Sequence, residues 1–331
     1  MTLARHAANP ILTRKDIPPL LPDFTDVTSV FNPGAVLHEG RIHLMLRVQS
    51  RGRRTALVMA ESGDGAGFTV ANEPVRLRGI EGIREKIHHV YDPRITRVGD
   101  AFYIVFAADI DGGCRLGVAA SRDLREFELV GLGAHPDIRN GVLFPERIGG
   151  RYVRLDRPNT SGAGGGVASG DEIWLSTSDD LVSWKPERPV MTGRWHYWDE
   201  RIGPGPPPVR TSEGWLLVYH GIATHFASVN IYQAGVVLLD PADPSRVLAR
   251  SRNNILEPRE TYELIGQVPN VVFPSGMIVE RVDDRGVAGA ESPVRLYYGA
   301  ADTCVCLATT TVRALLQACD EDAPSSAHPA R

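Results

Sequence analysis

In "KIHHVYDPRITRVGDAFYIVF", residues 86–106, an aspartate, a proline and an arginine stand together where a β-branched, aromatic run begins. The run reads as a buried strand, yet Pro93 cannot donate to a sheet ladder, so Asp92 marks an interruption rather than an ordinary strand position. A carboxylate placed there is free to face a cavity. Cationic groups occupy comparable places elsewhere. "RVQSRGRRT" carries Arg47, Arg51, Arg53 and Arg54, "RNGVLF" sets Arg139 beside Asn140, "YWDERIGPG" holds Arg201, and "VYHG" holds His220. "YYGAAD" contributes a second carboxylate, Asp302. Donors of one sign gathered at one place repel each other unless an anion joins them. Arginine's planar fork suits phosphate or carboxylate, so the chemistry suggested is anion binding beside a carboxylate.

Bringing such distant residues together requires a repeating scaffold. Five segments share a polar turn, a hydrophobic strand, a hairpin and a second strand: "FNPGAVLHEGRIHLMLRV", "YDPRITRVGDAFYIVFAA", "RNGVLFPERIGGRYVRLDRP", "GPGPPPVRTSEGWLLVYHG" and "VPNVVFPSGMIVE" with "VRLYYGAAD". Two-residue hairpin centres such as Glu39-Gly40 and Gly149-Gly150 separate the alternating runs. Further short strands follow each unit, among them "TALVMAES", "CRLGVAAS", "DEIWLSTS" and "CVCLATTT". About four strands recur every roughly 50–65 residues, and helical periodicity is nearly confined to "TVRALLQACDED". The predicted fold is all-β, a five-bladed β-propeller with a short C-terminal helix, in preference to a β-sandwich, whose strands would not recur so regularly. Residues 1–317 form its single domain, residues 1–27 being an N-terminal arm, and 318–331 are a disordered tail. In a propeller the innermost strands ring one channel. Asn32, Asp92, Asn140, the Pro-Gly run near Gly205 and Asn270 are the expected ring positions.

Composition narrows the partners. The chain has 331 residues, 43% hydrophobic and 23% charged, with a formal net charge of -4, so no global field draws it to nucleic acid or an anionic membrane. No apolar run reads as a signal peptide or a membrane span. Cys114, Cys304, Cys306 and Cys319 read as buried free thiols, which suits a reducing cytoplasm, and no metal-ligand set appears. The stretch "PNTSGAGGGVASGDE" lacks the lysine of a phosphate-binding loop and reads as a flexible rim.

The ordered series "FNPGAV", "RVQSRGRR", "VYDPRI", "RNGVLFPERIGGRYVRLDRP", "WDERIGPGPPPVRTSEGWLLVYHG" and "PNVVFPSGMI" resembles glycoside hydrolase family 130, the β-mannoside phosphorylases and related β-mannosidases. The resemblance spans nearly the whole chain and independently implies a five-bladed propeller. It implies inverting phosphorolysis of β-mannosides to α-mannose 1-phosphate, with inorganic phosphate as co-substrate and no other cofactor. Asp92 then matches the general acid, relaying its proton through the mannose 3-hydroxyl. Arg53, Arg139, Asn140 and His220 match phosphate-contacting positions, and Arg201 stands where lysine is usual. Asn32 and Asp302 match mannose-binding positions, and Arg47, Arg51, Tyr232 and Phe273 are expected to line the substrate channel. Asp156, in "RLDRP", departs from a common histidine and places a carboxylate near the sugar or phosphate. The resemblance also implies a homo-oligomer. The alternatives are a β-mannosidase of the same family, using water, and a non-catalytic sugar-binding propeller.

Overall fold

A computed structural model describes residues 3–20, 24–111, 113–134, 137–161, 167–224 and 229–320. Its strands form five blades around one axis. From the axis outward, the first blade runs through Val27–His38, Arg41–Ser50, Thr55–Ser62 and Thr69–Pro74. The second begins at Ile87–Val98, the third at Ile138–Leu143, the fourth at Arg201–Pro204 and the fifth at Val272–Val279. Hairpins join neighbouring strands antiparallel, as the two-residue turn centres predict.

The fifth blade takes its outermost strand from the other end of the chain. Ala4–Arg5 pairs antiparallel with Cys304–Thr311, so part of the expected N-terminal arm is blade. This closure ties the two ends of the chain together and covers part of the edge of Cys304–Thr311. The C-terminal helix, Val312–Asp320, buries Val312, Leu315, Leu316 and Cys319 against Leu238 of blade four and Cys306 of blade five. It reaches three residues into the segment expected as tail, whose remaining residues, 321–331, lie outside those described. All four cysteines are free and buried, and Cys304 and Cys306 share one apolar cluster, as residues two apart on a strand must.

What positions a functional site here is a shared irregularity of the inner strands. Pairing slips between Phe31 and Gly34, between Tyr91 and Arg94, between Arg139 and Val142, and between Pro274 and Gly276. At three of these bulges the polar residue turns left-handed: Asn32 at φ 48°, Asp92 at φ 51° and Asn140 at φ 56°. Asparagine and aspartate tolerate that conformation better than other side-chain-bearing residues, and a bulge re-aims a side chain out of the alternating pattern. Pro33 and Pro93 fall inside the breaks, where no ladder donor is needed. Adjacent inner strands also press together. A Cβ on Gly34 would lie 2.8 Å from the Pro93 carbonyl, so glycine permits this approach. In the fifth blade the bulge falls at Ser275, between Pro274 and Gly276, and the expected ring position Asn270 precedes the inner strand and does not line the central cavity, which Phe273 does.

Candidate functional site

The bulges open onto a central cavity of about 410 Å³, lined among others by Asn32, Arg47, Arg53, Asp92, Arg139, Asn140, Tyr232, Phe273 and Asp302. Nine residues expected at the site therefore meet, from all five blades and the segments joining their strands. The cavity has two chemically distinct sides.

On the first side Asp92 accepts hydrogen bonds from Asn32 Nδ2 at 3.0 Å and Arg47 Nη1 at 2.9 Å. Arg47 is clamped between the rings of Phe31 and Tyr91, 4.5 and 4.6 Å from their centroids, so its guanidinium has one orientation. The fully buried Arg94 reaches back to the Asp92 carbonyl at 2.9 Å and to the Gly205 carbonyl at 2.8 Å, locking blade two to blade four. Burial favours a protonated Asp92, but Arg47, Arg94 and Asn32 together outweigh it and hold the carboxyl below its ordinary value of 3.8. In the free protein Asp92 is thus a carboxylate.

Asp302, at φ 49° after the fifth blade's second strand, behaves oppositely. Burial pushes its carboxyl up to about 6, with Arg47 opposing and Asp92 reinforcing the rise. The native state holds this proton more tightly than the unfolded chain. That contribution to stability is complete below 3.8 and is lost as pH rises through about 6. Asp302→Asn should therefore stabilise the fold by about 1–3 kcal/mol near pH 8 and leave it unchanged near pH 4. Thermal melts at both pH values check this, and an equal shift at both would show that ionisation of Asp302 is not the cause.

The second side is cationic. Arg139 and Arg157 face each other across the first two strands of blade three, a like-charge pairing that ordinarily destabilises a sheet. Arg139 pairs loosely with Asp109, at 3.6 Å, and also feels the charge of Asp92; Asp109 in turn accepts from Tyr91 Oη at 2.7 Å. Arg157 is only 5% exposed, and its one hydrogen-bond acceptor among the described residues is the neutral Asn159, at 2.8 Å. Burial draws its guanidinium down to about 10, Tyr232 opposing and Arg139 adding to the fall, so it remains a cation at neutral pH. The Nε atoms of Arg139 and Arg157 are buried without a partner. A buried guanidinium, Arg157, and a half-buried one, Arg139, each with an unused Nε donor, together with Arg53 on the turn above, form a donor set that suits a small dianion.

Arg157, Tyr91 and Asp109 were missed in the sequence. Arg157 adjoins Asp156, but its place opposite Arg139 depends on a register that the Arg139–Val142 bulge shifts.

Four expected residues lie elsewhere. Asp156 is buried on the opposite strand face, bound by Arg154 Nη2 at 2.9 Å and Ser176 Oγ at 3.0 Å; residues 154 and 156 share a face, so they neutralise each other. Arg51 is 84% exposed and pairs with Asp26 at 3.5 Å, because the turn after blade one's second strand directs Arg53 inward instead. His220 is fully buried behind the cavity wall, its ring 4.7 Å from Phe273. A Cβ on Gly203 would lie 2.5 Å from that ring and 3.0 Å from Asn140 Nδ2, so His220 and Asn140 are neighbours and only glycine fits between them. Burial, then Arg157 and Arg94, hold His220 neutral, far below 6.5, so it brings no charge to an anion. Arg201 donates from Nη1 to the Ser169 carbonyl at 2.6 Å and lines a neighbouring pocket, although Ser169 itself lines the central cavity. The glycine-rich rim is partly ordered: Thr160–Ser161 pairs with Val167–Ala168, while residues 162–166 lie outside those described.

The sequence profile described as beta-1,4-mannooligosaccharide phosphorylase, Glyco_hydro_130, matches residues 3–321. A beta-1,4-mannooligosaccharide phosphorylase of Ruminococcus albus is 33% identical, over 93% of this chain and 88% of its own length. A 1,2-beta-oligomannan phosphorylase of Thermoanaerobacter is 32% identical, over 84% of this chain and 88% of its own. Among solved structures, the beta-1,2-mannobiose phosphorylase of Listeria innocua in complex with beta-1,2-mannobiose superposes with a TM-score of 0.83 at 26% identity, covering 97% of this chain and 100% of that one.

Proposed function

This chain belongs to glycoside hydrolase family 130, and on that premise we propose that it cleaves β-mannosides with inorganic phosphate, releasing α-mannose 1-phosphate with inversion. The observation that carries the reading is the facing pair of guanidinium groups with unused buried donors, Arg139 and Arg157, in one cavity with Asp92. The cationic side takes phosphate, with Arg53 and Asn140 completing its donors. The other side takes the mannose to be transferred, with Asn32, Asp302 and Arg47 meeting its hydroxyls, and with Tyr232 and Phe273 as apolar wall.

In the reaction a phosphate oxygen forms a bond to the anomeric carbon as the glycosidic bond on the opposite face breaks. The leaving oxygen receives a proton that originates on Asp92 and is passed through the mannose 3-hydroxyl. Phosphate's own proton restores the balance, so the net products are the sugar phosphate dianion and a free alcohol. One protein carboxylate suffices because the nucleophile is already an anion. Asp92 is ionised in the free protein, but a phosphate dianion nearby and loss of water both raise its proton affinity. Binding of the nucleophile thereby arms the acid. The four buried free thiols support a reducing, cytoplasmic setting, and no helix among the described residues is long and apolar enough to cross a membrane.

Incubation with β-1,4- and β-1,2-mannobiose, with and without phosphate, tests the reading. Mannose 1-phosphate should form only with phosphate present, and one linkage should be preferred. Equal cleavage in phosphate-free buffer, yielding free mannose, would identify a hydrolase instead. Phosphate alone should also raise Tm, since a ligand bound only by the native state stabilises it by mass action.

A further inference from the structure

Next to the central cavity lies a second pocket of about 280 Å³, lined by Asp171, Gly193, Trp195, Glu200 and Arg201. The two share a wall: Arg201 lines the second pocket, and its Nη1 donates to the carbonyl of Ser169, which lines the first. Trp195 is 78% exposed and is the one aromatic among the exposed large hydrophobic side chains of the described residues. An indole is a large apolar surface to leave in water, and its one ring neighbour among the described residues is His196, edge-on at 4.6 Å.

The loop that presents Trp195 is held firmly. Arg194 grips Asp199 through two hydrogen bonds of 2.8 Å, Trp198 Nε1 donates to the Arg252 carbonyl at 2.6 Å, and the Gly193 amide donates to the Asp171 carbonyl at 2.6 Å. A Cβ on Gly193 would stand 1.9 Å from the Glu200 carbonyl oxygen, so the two ends of the loop touch. Arg194 also stacks on Tyr197 and Trp198, which leaves Trp195 as the loop's outward ring.

We propose that this pocket is a distal sugar subsite that takes a further ring of an oligosaccharide whose terminal mannose occupies the central cavity. The proposal rests on the mannoside reading above. A pyranose has an apolar face of C–H groups that packs on an indole, and hydroxyls that donate to carboxylates and accept from a guanidinium. With two carboxylates against one cation, the pocket repels anions and favours a neutral polyol. That charge balance also argues that Arg201 serves sugar rather than phosphate. Trp195 stands on a rigid loop, so little ordering cost attends binding.

The test is a chain-length series of β-linked manno-oligosaccharides of two, three and four units, with Trp195→Ala and Trp195→Phe beside the unaltered enzyme. The unaltered enzyme should show kcat/KM about tenfold higher for the longer substrates than for the disaccharide, equivalent to about 1.4 kcal/mol. Trp195→Ala should lose this gain while keeping disaccharide turnover within about twofold, and Trp195→Phe should keep most of it. Tetrasaccharide added without phosphate should perturb the intrinsic fluorescence of the unaltered protein more than that of Trp195→Phe. A length profile unchanged in Trp195→Ala, or no length dependence in the unaltered enzyme, overturns the subsite. If no mannoside is turned over but the fluorescence response depends on Trp195, the phosphorylase reading fails and sugar binding at this pocket stands. If that response is absent as well, the subsite fails too.

Discussion

Asp92→Asn is expected to lower kcat by about 10²–10⁴-fold, the loss typical when a general acid can no longer supply its proton. The side chains are nearly isosteric, so the geometry of the bulge survives. The fold is also expected to weaken. Arg47 and Arg94 both lie near Asp92, and the neutral amide leaves them under-compensated in a largely buried place. A loss of about 1–3 kcal/mol is expected at neutral pH. Because the Asp92 carboxyl sits below 3.8 in the native state, the stabilisation it supplies is present above that value and lost as pH falls below it. Variant and parent should thus converge in stability under strong acid. Chemical denaturation at neutral and acid pH, alongside initial rates, measures both effects. Near-normal turnover in a folded Asp92→Asn protein would remove the residue from the mechanism.

Arg157→Met is the second large effect. Methionine fills similar space without charge, so kcat/KM for phosphate should fall by about 10²–10³-fold, equivalent to about 2.7–4 kcal/mol of lost electrostatic stabilisation. The fold should hold or gain stability, because a buried cation lacking a carboxylate partner has been removed. This opposition distinguishes a ligand-binding role from a structural one, in which activity and stability would fall together. Arg51→Ala is the control: an exposed ion pair contributes only about 0–1 kcal/mol, and phosphate dependence should stay within about twofold. Initial rates across a phosphate series decide both. An unchanged phosphate KM in Arg157→Met would place the anion elsewhere in the cavity.

The repeat, the five blades and Asp92's position facing a cavity were readable in the sequence, because they follow from local rules. Strand alternation and hairpin centres set the blades, and Asn-Pro or Asp-Pro at an inner strand announces a break in the ladder. Asn32, Asn140 and Asp302 were legible for a related reason: all take left-handed φ, where asparagine and aspartate are tolerated. The direction of each arginine was not legible. Arg51 and Arg53 are two residues apart in one turn, yet one pairs with Asp26 at the surface and the other lines the cavity. Asp156 and Arg157 are adjacent, yet strand alternation and a bulge send one to Arg154 and the other opposite Arg139. His220 and Arg201 likewise sit near the axis but behind or beside the cavity wall, a matter of which neighbouring blade each ring or guanidinium meets. Long side chains take their direction from packing and counter-charges that assemble only when the blades close, and so only the tertiary structure decided them.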